Sequence, residues 1–346
     1  MFGCKFGVRV RRLVALAFAS SLLASLALIP THAEAIKIGS ITAANVGPVY
    51  VALAKGYFAA EGLEVELVSF DAAQPVAVAA ASGDVDFGST GMTAAFLNLA
   101  AQGTLKIIGA GTWETKGFQS IGFMVSNQAY AAGVHSLKDM AGHSVGLTQV
   151  GTPLHYNIAL ALEKSGVDMK TVRIVPLQSN PNVASAIKGG QIDAAVQTSA
   201  NIYPLVEKNE AKLLGWASDF IQGQSEATMA NTKFANEHPE TVKKFLTAFR
   251  KAEATWDAAF TDKDGKRADQ PAAKRMMEIA SKNLSLPPDV LAKGIAYYDS
   301  QSRVALPDVQ RAIDWYYSQG MIKEKLDAAS LVDKRFAILA QPAATH

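Results

Sequence analysis

The chain has 346 residues, with 33 Lys+Arg against 31 Asp+Glu and a single cysteine, Cys4. Near-neutrality excludes the basic patch or stripe of a nucleic-acid binder and the cluster of a polybasic membrane-surface protein. One cysteine excludes a disulfide framework. The length suits about two domains, each able to bury its own core.

At the amino terminus Lys5, Arg9, Arg11 and Arg12 precede an apolar run, residues 13–29, that meets Pro30 and Ala33-Glu34-Ala35. Basic region, apolar region and A-x-A site predict a signal peptide over residues 1–35, cleaved after Ala35, and hence export to the periplasm. The run is shorter than the roughly 20 residues of a membrane span, and Ser20, Ser21 and Ser25 interrupt it. Arg11-Arg12 leaves the general secretory and twin-arginine routes both open. Cys4 lies before the apolar run, where it cannot accept a lipid anchor. Cleavage removes four basic residues, Glu34 and Cys4, leaving 29 basic against 30 acidic side chains. The mature chain then has no thiol for nucleophilic chemistry or metal binding.

From Ile36 the pattern is strand, helix, strand. Residues 36–41 are β-branched and apolar, 42–47 form a polar loop, and Pro48 opens a helix. Residues 63–68 alternate strictly, an Ala/Val-rich helix runs to Ser82, and strands follow at 85–88 and 105–110 around a helix at 92–101. This alternation predicts a parallel α/β sheet. The grammar restarts after a strand at 121–125: Ser136-Leu137-Lys138-Asp139 opens a short helix, 143–147 is a strand, Thr152-Pro153 opens a helix to about Ser165, and strands are expected at 192–197 and 212–216. Ala81-Ser82-Gly83-Asp84-Val85-Asp86 and Ala186-Ile187-Lys188-Gly189-Gly190-Gln191-Ile192-Asp193 share one design, a helix stop, a turn and an acidic strand start. They imply paired lobes. Beyond Ser225 the chain reads as helical, with Val242, Phe245, Leu246, Phe249, Ala252 and Trp256 as core. Leu306-Pro307-Asp308 starts a further helix that ends at Gly320.

Gly47-Pro48, Ala54-Lys55-Gly56-Tyr57-Phe58, Glu61-Gly62-Leu63-Glu64-Val65, Ser82-Gly83-Asp84-Val85-Asp86, Gly151-Thr152, Ile192-Asp193-Ala194-Ala195 and His238-Pro239-Glu240 together resemble the sulfonate, taurine and nitrate binding proteins of ABC importers. The resemblance spans nearly the whole mature chain. It implies an α/β periplasmic binding protein fold of type II, with two lobes, a hinge and a ligand in the cleft between them. Lobe 1 would comprise 36–125 and 223–346, and lobe 2 residues 126–222. It further implies a small-molecule ligand, an ABC transporter permease as partner, and a monomer without cofactor.

In open α/β sheets ligands bind beyond the carboxyl ends of the strands, where helix N-termini offer N–H groups and partial positive charge. Four loops are therefore candidates: 42–47, 89–93, 148–153 and 197–201. Thr42, Asn45, Ser89, Thr90, Thr152, Gln197 and Thr198 supply short hydrogen-bonding side chains, although such residues also cap helices. His155, in the first turn after Thr152, and Trp113, beside the first crossover, complete the candidate set. Glu114 and Lys116 read as solvated, and Asp86 and Asp193 as turn or hinge structure. A small anion, whether sulfonate, carboxylate or inorganic oxyanion, is the expected ligand. Where many family members carry a Trp-x-Pro element, this chain has Gln197-Thr198-Ser199-Ala200-Asn201 before Tyr203-Pro204, which leaves the ligand class open.

Two other classes stand beside the carrier. A thiamine-pyrimidine synthase shares the fold family but relies on a cysteine-rich motif that the mature chain lacks, and a pyrimidine-precursor binder is its non-catalytic counterpart. The sequence shows no nucleophile elbow, dinucleotide fingerprint, Walker A loop or H-E-x-x-H pattern, so no enzyme and no metal site is expected. A ligand-sensing module that signals to a membrane receptor would use the same cleft.

Overall fold

A computed structural model describes residues 33–41, 47–284 and 286–341. The leader up to residue 32, and with it Thr42 and Asn45, lie outside the described residues. Met1–Ala33 and Glu34–His346 are separate units, and the second carries the fold.

The strands in chain order are β1 (Glu34–Ile41), β2 (Leu63–Phe70), β3 (Phe87–Gly91), β4 (Leu105–Ala110), β5 (Thr112–Glu114), β6 (Ile121–Ser126), β7 (Ser144–Leu147), β8 (Arg173–Pro176), β9 (Ala194–Thr198), β10 (Ala211–Trp216), β11 (Gly223–Gln224), β12 (Glu226–Asn231) and β13 (Tyr297–Tyr298). They form two five-stranded sheets, β2-β1-β3-β12-β4 and β10-β6-β9-β7-β8, and a small three-stranded ribbon, β11-β5-β13. The sheets repeat one plan. In the first, β2, β1 and β3 run parallel and β12 lies antiparallel between β3 and β4; in the second, β8, β7 and β9 run parallel and β6 lies antiparallel between β9 and β10.

The paired acidic turns are the hinges of this symmetry. Asp86 accepts the Lys37 backbone N–H at 2.8 Å and Asp193 accepts that of Ser144 at 2.7 Å, each across 49 residues. Each carboxylate thus ties the start of one strand to the turn before its neighbour, the structural role expected of both.

Three boundaries differ from the sequence reading. β1 begins at Glu34: its N–H donates to Gly62 O at 2.9 Å, and the Thr241 hydroxyl donates to its carboxylate. The first two rungs of the β1–β2 ladder therefore use residues assigned to the leader. Residues 121–125 belong to the second sheet rather than to the end of the first lobe, because β6 pairs with β9 and β10. The crossovers are accordingly 111–120 and 217–225. And Glu226–Asn231, expected to be helical, is a fully buried central strand. Its Ala-, Met- and Glu-containing sequence has no strand preference of its own, and pairing on both edges overrides it.

The aromatic stripe behaves as expected. Helix Pro239–Phe260 buries Val242, Phe245, Leu246, Phe249, Ala252 and Trp256, with Phe87 and Phe245 stacked 4.0 Å apart. Trp256 Nε1 donates to Ala296 O at 3.1 Å. It also explains Gly47: a Cβ there would lie 2.2 Å from the indole, so only glycine lets helix Gly47–Ala54 approach.

The lobes touch through several bonds. Ala94 N–H donates to Gly151 O at 2.8 Å, Gln74 Nε2 to Val150 O at 2.9 Å, and Ser199 Oγ to Gly294 O at 3.2 Å, while Lys293 pairs with Glu207. Helix Pro153–Lys164 also leans on helix Leu306–Ser318, where Tyr156 accepts from Arg311 Nε at 3.1 Å.

Candidate functional site

Between the lobes lies a cavity of about 70 Å3. Its wall is made by the carboxyl ends of parallel strands. Ile41 closes β1, Asp71, Ala72 and Ala73 follow β2, and Gly91 closes β3; from the second sheet come Thr148 after β7, Asn180 after β8, and Gln197 and Thr198 at the end of β9. Ile121, Thr152, Pro153, Leu154 and Glu226 complete it. A larger open groove of about 770 Å3, lined by Asp86, Thr104, Asn231 and neighbours, lies at the opposite, amino ends of β3 and β4. It does not separate the lobes and gathers no helix N-termini of the parallel units.

Four helices begin at the cavity: Ala73–Ser82, Pro153–Lys164, Asn180–Lys188 and Ser199–Glu207. Whether their first residues serve the helix or a ligand is decided by where the side chains bond. Thr93, Ser126 and Asn231, elsewhere in the fold, each accept a first-turn N–H and cap their helices. At the cavity Ala72 has nothing to offer, Thr152 Oγ1 donates to Gln149 O at 2.8 Å, and Thr198 Oγ1 accepts from Asn201 Nδ2 at 3.1 Å. None of these three caps its helix, so the first-turn N–H groups there keep no side-chain partner, whereas Ser179 caps the fourth by accepting the Asn182 N–H at 3.4 Å. Such N–H groups with the helix dipole behind them favour negative charge.

Gln197 adds a neutral donor. It is 1% exposed, its Oε1 accepts from Asn201 at 3.3 Å, and its Nε2 has no partner among the described residues. A buried amide left in that state costs about 1–3 kcal/mol, which an acceptor in the cavity would offset.

Of the residues singled out from the sequence, Thr152, Gln197 and Thr198 line the cavity. Ser89 and Thr90 are buried in β3 just before Gly91, and Thr90 Oγ1 lacks a partner among the described residues. Trp113 sits in β5 between Gln224 and Tyr297, in the crossover ribbon rather than the wall. His155 also does not line the cavity. Its Nδ1 accepts the Gly151 N–H at 3.3 Å and its ring meets Trp315 edge-on at 5.2 Å. Burial pushes its pKa down to about 4, so it is a neutral acceptor that steadies the Gly151-Thr152 turn.

Glu114, expected in solvent, is 1% exposed. Burial first, and then repulsion from Glu226, raises its pKa to about 8, against the Ile121 N–H and the Ser120 hydroxyl, which favour the anion. Its strand is inside the ribbon, a pairing that three residues of sequence do not announce. Lys116 is exposed as read.

The sequence reading missed Asp71, Asn180 and Glu226. Asn180-Pro181 after a turn was a legible helix start. Glu226 carried no local signal, because its strand was read as helix.

The profile of the family described as NMT1/THI5 like matches residues 43–262. A protein of Bacillus subtilis (strain 168) assigned as an aliphatic sulfonates-binding protein is 24% identical over 298 residues, 84% of this chain and 84% of its own length. The taurine-binding periplasmic protein of Escherichia coli (strain K12) is 27% identical over 236 residues, 67% of this chain and 70% of its own. Among solved structures, the periplasmic aliphatic sulphonate binding protein SsuA of Escherichia coli superposes with a TM-score of 0.68 at 17% identity, covering 90% of this chain and 96% of that one. The fold extends to catalysts: the desulfurization enzyme DSZB superposes with a TM-score of 0.61 at 14% identity, covering 88% and 97%. The chain shares its two-lobe fold with these solved structures.

Proposed function

We propose, on the premise that this chain belongs to the NMT1/THI5-like family, that it is the extracytoplasmic solute-binding component of an ABC importer, working in the periplasm and carrying a small molecule with an anionic head. One observation carries the reading: the carboxyl ends of both sheets converge on one small cavity where helix starts are left uncapped and a buried amide donor is left unpaired. That arrangement holds an anion with neutral groups, without a counter-cation. The relatives named for sulfonates and taurine support the same class. A ligand touching both walls binds the closed form better than the open one, and that difference closes the lobes for a permease to recognise.

A thermal-shift screen of the exported chain tests this, using sulfonates, carboxylates, nitrate, bicarbonate and thiamine precursors. A ligand at a hundredfold excess over its Kd adds about 2.7 kcal/mol, an upward shift of several degrees. Response to one anionic class supports the carrier. Response to the thiamine precursors alone supports the pyrimidine-binding reading, and silence throughout removes the anionic pocket. For a responding ligand, Thr152→Ala is expected to weaken binding by about fivefold in calorimetry, the size of one hydrogen bond, because the Thr152–Gln149 bond shapes the helix start. Unchanged affinity would take that loop out of the site.

A further inference from the structure

Pairing of β1 with β2 begins at the first residue of the strand: Glu34 stands beside Leu63 and Ala35 beside Glu64. The Glu34 N–H donates to Gly62 O at 2.9 Å. Its carboxylate accepts from the Thr241 hydroxyl, with His238 Nδ1 4.0 Å and Lys244 Nζ 3.9 Å away. Glu34 thus joins the start of the first sheet to the start of helix Pro239–Phe260. Thr241 is 3% exposed, so without Glu34 its hydroxyl would lose this partner away from water.

The sequence offers a leader peptidase two places to cut. Such an enzyme reads small side chains one and three positions before the bond it breaks. Ala33 with Thr31 ahead of it meets that need, and so does Ala35 with Ala33 ahead of it. The fold separates the two. A cut after Ala35 discards two rungs of the ladder and the Thr241 bond, and leaves the new charge on Ile36, a residue of the core. A cut after Ala33 keeps them all. It also makes the new amino group out of the Glu34 nitrogen, the atom that already donates to Gly62 O. An α-amino group titrates near about 8, so at neutral pH that bond becomes a charge-assisted one. The chain divides into separate compact units at the same bond, Met1–Ala33 and Glu34–His346.

We propose that export of this chain ends with hydrolysis of the Ala33–Glu34 bond, two residues before the cut that the A-x-A pattern marks, and that the freed Glu34 ammonium is the first donor of the sheet. The proposal rests on the export part of the solute-binding reading. Water breaks the C–N bond: its hydroxyl goes to the Ala33 carbonyl carbon and its proton to the Glu34 nitrogen.

The test is N-terminal sequencing and intact mass of the product released when the full chain is expressed in a Gram-negative host. The expected first residue is Glu34. A product that starts at Ile36, or anywhere else, overturns this site while export stands; a full chain that keeps its leader overturns both. Two variants read the choice independently. Ala35→Leu blocks only the cut after Ala35, at an exposed strand position, and is expected to leave processing unchanged. Thr31→Glu blocks only the cut after Ala33 and is expected to accumulate the precursor. The reverse pattern overturns the proposal. For the donor role, chains prepared to start at Glu34 and at Ile36 are melted side by side. The shorter is expected to melt about 3–6 °C lower, the size of two or three lost hydrogen bonds in a domain this large. Equal melting temperatures would overturn that role.

Discussion

Between about pH 4.5 and pH 8 Glu114 is expected to contribute a loss of stability as pH rises, opposed below about pH 6.5 by buried His155, and Glu114→Gln is expected to remove the Glu114 part of the slope. The folded state keeps the Glu114 proton up to about pH 8, because the carboxyl is buried beside Glu226, whereas the unfolded chain releases it near its ordinary value of 4.5. Across that window the folded state therefore binds more protons, so stability is full below the unfolded pKa and falls as pH climbs towards the folded one. One proton corresponds to about 1.4 kcal/mol per pH unit, on the order of 5 kcal/mol over the whole interval. Urea melts of wild type and Glu114→Gln at half-unit steps from pH 4 to pH 9 isolate the term by difference. The curves should converge at acid pH and separate as pH rises, with the glutamine variant the more stable at pH 8. Parallel curves would mean that Glu114 is solvated after all.

Gly91→Val is expected to weaken ligand binding by at least tenfold while leaving the fold of each lobe intact. A Cβ on Gly91 would lie 2.5 Å from Pro153 Cγ, closer than real contacts allow, and Pro153 stands rigidly in the first turn of its helix. The Gly91 backbone is not in the left-handed region, so valine suits the strand itself. The clash exists only when the lobes meet, and a penalty of about 1.4 kcal/mol on the closed form already gives the tenfold loss. Small-angle scattering should show the variant more extended than wild type under saturating ligand, with its ligand-free melting temperature nearly unchanged. Wild-type affinity in Gly91→Val would show that binding does not require the lobes to approach at Pro153.

The Gly91–Pro153 approach shows how little of the site is local. Adjacent residues carry the periodicities of strand and helix, so the sequence by itself determined the alternation of elements, the strand at 105–110, the helix opened by Thr152-Pro153, the Trp256 stripe and the twin acidic turns at Asp86 and Asp193. These depend on side-chain spacing and turn chemistry within a few residues. It also located the loops, because strand carboxyl ends follow from strand order, and so reached Thr152, Gln197 and Thr198. The tertiary structure alone decided that residues 121–126 and 226–231 exchange into the middle of opposite sheets, since their hydrogen-bonding partners lie far away in the chain. With the second of those strands Glu226 entered the cavity wall and Glu114 came to be buried within reach of its charge, while the packing of helix Pro153–Lys164 on helix Leu306–Ser318 brought His155 to Trp315. Whether a threonine caps its helix or leaves the helix start open was likewise settled by packing, because both uses begin with the same residue at the same position.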